Sequence, residues 1–74
     1  MSRVLVRLSE IVSGHRFRWC NVIFEATHEE TNFEGRPSRR VIYRQASGRG
    51  AYQPGDKGIM PLDELVEPMT WSDL

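Results

Sequence analysis

The sequence predicts a mainly β domain, an antiparallel open barrel or curved sheet of four or five strands with one short helical turn after Pro61. Three observations predict it. Arg3 to Leu8 alternates apolar and charged residues, and Arg39 to Ala46 strings β-branched and aromatic residues together, as sheet strands do. Between such runs lie turn signals, Ser13-Gly14-His15 and Gln53-Pro54-Gly55-Asp56.

Arg39 to Ala46 is the organising strand. Val41 and Tyr43 fall on one face and Arg40, Ile42 and Arg44 on the other, so one side is suited to burial while the other carries guanidinium groups. In Arg3 to Leu8 the apolar face is Val4, Val6 and Leu8; Arg3 and Arg7 lie opposite, where at a sheet edge they discourage aggregation. A second strand is expected over Arg16 to Glu25. Phe17 and Trp19 share one parity there and Val22 and Phe24 the other, which a bulge near Cys20-Asn21 reconciles.

Residues 26 to 38 read as a polar connection containing Gly35 and Pro37, at a length where loops are usually functional or mobile. Ser47 to Asp56 is a second irregular stretch, closing in a type II turn with Pro54 second and Gly55 third. Gly58-Ile59-Met60 then returns as a short strand. Pro61 to Glu67 has proline at a helix start, acids in the first turn, Leu62, Leu65 and Val66 at helical spacing, and Pro68 as a stop. Met69 to Leu74 is a last strand or a frayed end. The expected core is Val4, Val6, Leu8, Phe17, Trp19, Val22, Phe24, Val41, Tyr43, Ile59, Leu62, Leu65 and Val66, in an SH3-like arrangement.

The chain of 74 residues is a single small domain (1–74), near the lower limit at which a core supports folding without staples. A weak homodimer or a partner would add to so thin a margin. The one cysteine, Cys20, forms no internal disulfide, and nothing resembles a secretory signal, so a cytoplasmic location is expected. No apolar run approaches the roughly 20 residues of a membrane span.

Net charge is formally zero, but the charges are unevenly placed. Residues 1 to 49 hold nine arginines against five glutamates, a balance of +4, and residues 50 to 74 carry a balance of −4. Arginine outnumbers lysine nine to one, which suits bidentate recognition of carboxylate or phosphate.

The run Ala26-Thr27-His28-Glu29-Glu30-Thr31, then Val41-Ile42-Tyr43, then Ile59-Met60-Pro61-Leu62, resembles a family of short bacterial proteins known only as a domain of unknown function. Its pattern is Ala-x-His-x-Glu-Thr, a strand ending in Val-Tyr, and an apolar residue before x-Pro-Leu. The segment between Thr31 and Val41 is longer here, and Met60 stands where the pattern has Arg. The resemblance implies a compact, mainly β domain and brings no chemistry with it.

Four constellations bear on function. Arg16, Arg18, Arg40 and Arg44, with Arg36, Arg39 and Trp19 nearby in the pattern, would make a basic, aromatic surface for nucleic acid; the competing reading is the solvated faces of half-buried strands. Gly50 to Gly55 has P-loop glycine spacing, but Asp56 stands where lysine is required, so a hairpin loop is the better reading. His15, His28 and Cys20 lack the spacing of a metal site, and Cys20 reads as a small core residue. No nucleophile, base and orienting group lie together, so no enzyme and no cofactor is expected.

Protein binding is what remains. Loops and chain ends on a rigid sheet concentrate contacts, which selects Phe33, Arg49, Tyr52 and Trp71. The expectation is a non-catalytic binding module acting on a protein partner, an adaptor or an inhibitor, including one made by a phage against its host. Nucleic-acid binding through the arginine face is the alternative.

Overall fold

The computed structural model describes residues 4–46, 48 and 50–69. Among these residues six strands run in chain order: β1 (Val6–Arg7), β2 (Arg16–Trp19), β3 (Val22–Phe33), β4 (Arg36–Tyr43), β5 (Lys57–Pro61) and β6 (Leu65–Pro68), with a 3₁₀ turn over Leu8–Glu10. All neighbours are antiparallel, in the order β1-β6-β2-β3-β4-β5. The mainly β class is as the sequence predicts, with six strands where four or five were expected.

Arg16 to Glu25 is a hairpin and not one bulged strand. Cys20 and Asn21 both have positive φ, 51° and 64°, the signature of a type I′ turn between β2 and β3. Reversal solves the parity problem directly, because residues paired across a hairpin share a face. Phe17 therefore lies opposite Phe24 and Trp19 opposite Val22. Cys20 is exposed in this turn and takes no part in the core.

The expected connection over 26 to 38 is instead the greater part of a second hairpin. β3 runs on to Phe33, Glu34 and Gly35 turn at φ 52° and 78°, and β4 returns from Arg36. Polar residues are compatible with strand here because His28 to Pro37 are exposed and there is no core for them to spoil. Pairing shifts between Ala26 and Glu30, so that Thr27, His28 and Glu29 stand opposite Arg40 alone. Thr27 holds this bulge. Its Oγ1 donates to the Arg40 carbonyl at 2.8 Å and accepts the Glu29 N–H at 3.2 Å.

Among the described residues no helix follows Pro61. A turn closed by Glu64 N–H donating to the Pro61 carbonyl at 3.2 Å leads into β6, which inserts between β1 and β2. Backbone pairing on both sides of β6 outweighs the helical spacing of Leu62, Leu65 and Val66, a tertiary override of local preference. Of these three only Val66 is fully buried, and Leu65 is exposed. Residues 62 to 64 thus join the strand at one end of the order to a strand near the other, which requires the sheet to curl into an open barrel. Leu62 donates to Pro37 O at 3.1 Å, Ser9 to Leu62 O at 3.0 Å and Leu8 to Glu64 O at 2.9 Å, fastening that corner.

The core is Leu8, Ile11, Phe17, Phe24, Ala26, Val41, Met60 and Val66, with Val6, Trp19, Val22 and Tyr43 partly buried against it. Val4, expected inside, is exposed, because regular pairing begins only at Val6. The turn at 53–56 has Gly55 at φ 97° and Asp56 N–H donating to Gln53 O at 3.0 Å, as a type II turn requires. Among the described residues no helix is long and apolar enough to cross a membrane.

Candidate functional site

Two surfaces, and the segment between β4 and β5, carry the described residues singled out in the sequence. The first is the outer face of the sheet. Arg16 and Arg18 on β2, Arg40 on β4 and Arg44 just after it alternate with inward residues, so they share this face with Ile23, Glu25, Ile42, Ile59 and Glu67. Each of the four meets a carboxylate. Arg44 Nη2 lies 3.1 Å from Glu25 Oε1 and Arg16 Nε 3.9 Å from the same atom; Arg18 Nη1 is 3.6 Å from Glu67 Oε1, and Arg40 Nε 3.9 Å from Glu29 Oε2. The result is a mosaic of opposite charges, four guanidinium groups set among three carboxylates.

Arg36 and Arg39 do not enlarge that surface. Arg36 reaches Asp63 at 3.1 Å. Arg39 is only 6% exposed and turns inward, donating to the carbonyls of Leu8, Ile11 and Thr27. Its guanidinium is a structural clamp.

The second surface is the ribbon formed by the distal parts of β3 and β4. Phe33, opposite Arg36 at its end, is 51% exposed. A large apolar ring in that position gains nothing from the core. The same ribbon carries Glu29 and Glu30 on β3 and Glu34 in the turn, of which Glu30 and Glu34 make no ion pair among the described residues.

Tyr52 lies in the segment between β4 and β5. It is 45% exposed and stacks on Tyr43, with ring centroids 4.5 Å apart and planes 5° apart. Tyr43 in turn packs on Phe24, and Phe24 on Phe17 and Trp19, so an unbroken aromatic column runs from the core to Tyr52. Burial raises the Tyr43 pKa above 10.0, with smaller contributions from Tyr52 and Asp56. Phe33 and Tyr52 are thus both available at the surface. Arg49 and Trp71 lie outside the described residues.

No protein-family model, curated protein or solved structure matches the chain. The surface itself must therefore carry the functional reading. No cluster of three or more His, Cys, Asp or Glu side chains is placed to hold a metal among the described residues. Sequence reasoning missed the inward turn of Arg39 and the acidic ribbon. The signal for the first was parity, since Arg39 alternates with Val41 and Tyr43. The second was signalled by Glu34-Gly35, a two-residue turn between runs able to pair.

Proposed function

We propose that the protein is a non-catalytic binding module whose partner is another protein, and that it works as an adaptor or an inhibitor. The observation that carries this reading is Phe33, a half-exposed aromatic ring at the end of a solvated ribbon on a well-packed barrel. Aromatic side chains so placed supply binding energy at low entropic cost. Tyr52, rigidly backed by Tyr43, is the second anchor, and Arg49 and Trp71 belong to the same proposal. Cytoplasmic residence and a phage origin are part of it too; they rest on the lone cysteine and the small size. Against nucleic acid stands the pairing of Arg16, Arg18, Arg40 and Arg44 with carboxylates.

The test is capture from a cytoplasmic lysate on the tagged protein, with and without nuclease, at two salt concentrations. A stoichiometric protein that resists nuclease, is lost with Phe33→Ser and is retained with Arg40→Gln/Arg44→Gln supports the reading. Nucleic acid recovered at low salt and lost with the arginine pair overturns it.

A further inference from the structure

The ribbon has one open side. β2 pairs with β3 only from Val22 to Glu25, and two further backbone bonds, Gly14 N–H to Ala26 O at 2.8 Å and Ala26 N–H to His15 O at 3.0 Å, end that contact. From Glu30 to Phe33 β3 is paired with β4 alone, and no other described backbone group bonds its far side. At the bulge before it the Thr27 carbonyl already accepts from Arg39 Nε and the Glu29 N–H donates to Thr27 Oγ1. The opposite side of β4 is occupied, by β5 from Ser38 to Ile42 and by Leu62 at Pro37.

Free edges are usually blunted by charged side chains, above all lysine, by proline, by bulges or by extreme shortness. The other two edges here follow that rule: β5 begins at Lys57 and ends at Pro61, and β1 is two residues long and includes Arg7. The stretch 27 to 33 has no lysine, arginine or proline. What it has is acid, at Glu29 and Glu30, with Glu34 in the turn beyond. An acidic edge repels a second copy of itself and favours a cationic strand.

We propose that the free edge of β3, Glu30 to Phe33, takes up an extended cationic segment of a partner protein as an added strand. Backbone hydrogen bonds hold the segment, Glu30 and Glu34 select its lysines or arginines, and Phe33 covers an apolar residue at its end. The inference rests on the protein-binding reading and names the chemistry of the partner.

Three eight-residue peptides test it against the isotope-labelled full chain, followed by backbone amide shifts. One alternates lysine with valine, one has the same charge with two central valines replaced by proline, and one alternates glutamate with valine. The expected result is that the first peptide alone shifts amides of residues 30 to 33. Glu30→Gln/Glu34→Gln should then weaken it about threefold to tenfold at low salt, as expected for two exposed charge pairs.

Equal binding of the proline peptide makes the contact merely electrostatic and overturns the proposal. So does a response centred on β5, or no response at all. Self-association through residues 30 to 33, seen by sedimentation, would assign the edge to a second copy and also overturn it. If the peptides fail while Phe33→Ser still abolishes protein capture, strand addition is wrong and the binding-module reading stands; if capture also proves independent of Phe33, both fall.

Discussion

Arg39 Nη1 lies 2.9 Å from the carbonyl oxygen of Leu8, joining the middle of β4 to the 3₁₀ turn 31 residues earlier in the chain. The same nitrogen donates to Ile11 O at 2.6 Å, and Nε to Thr27 O at the bulge. One planar guanidinium thus satisfies carbonyls from two segments that have no ladder between them.

Arg39→Met should therefore destabilise the fold by about 2 to 4 kcal/mol, since the Ile11 and Thr27 carbonyls lose the guanidinium donor and Leu8 O keeps only the Ile11 N–H. Arg39→Lys should recover little, because an ammonium cannot reproduce the fork. Urea unfolding of the three proteins checks both statements.

The two hairpin turns hold non-glycine residues in the left-handed region. Glu34→Asn creates Asn-Gly, the preferred type I′ pair, and should stabilise by about 0.5 to 1 kcal/mol. Asn21→Gly should do the same at the first turn. A rise in the urea midpoint with unchanged slope is the expected readout.

Gly58 lies beneath Tyr43, where an added Cβ would come within 3.2 Å of the ring edge. Its φ is not in the positive range, so the ring and not the backbone decides the outcome. Gly58→Val should cost about 1 to 3 kcal/mol by displacing Tyr43. It should also alter the near-ultraviolet circular dichroism of the Tyr43–Tyr52 stack.

Tyr43 makes stability fall in alkali. Its folded pKa is raised above 10.0, mainly by burial, so above that pH the folded protein binds more protons than the unfolded chain. Its contribution is complete below the unfolded pKa and is lost as pH rises through the folded one. Tyr43→Phe should flatten this part of the pH profile in thermal melts between pH 9 and 11, roughly bracketing the reference tyrosine value.

Glu25 pairs with both Arg16 and Arg44 and accepts a hydrogen bond from Arg44. Glu25→Gln should cost under about 1 kcal/mol, an effect that disappears at high salt, as for other exposed pairs. It should also release two guanidinium groups and create heparin retention that the unaltered protein lacks. Strong retention before the substitution would contradict the charge mosaic described above.

Much of the barrel was legible because apolar residues recur along its strands: Phe17, Phe24 and Val41 are buried as expected, and Val66 is buried too, though on a strand and not on the helix its spacing suggested. The type II turn at 53–56 was legible from Pro54 and Gly55. Two hairpins were not. Cys20-Asn21 lacks the glycine that announces a type I′ turn, and the polar ribbon from His28 to Pro37 has no apolar face to betray its period. Leu62 to Val66 misled for a different reason. Helical spacing over five residues is a local signal, whereas the pairing of β6 with both β1 and β2 is decided by distant strands. Of the candidate site, Phe33 and Tyr52 were legible as exposed aromatics between regular runs, while the acidic edge beside Phe33 emerges only once β3 is known to continue past the end of β2.

The most direct test of the binding-module account is a photoreactive phenylalanine analogue at position 33, with the same analogue at position 42 on the outer face as a control, irradiated in cells. The account predicts one discrete protein adduct from position 33, resistant to nuclease and absent from position 42. Adducts with nucleic acid, or equal labelling from both positions, would contradict it.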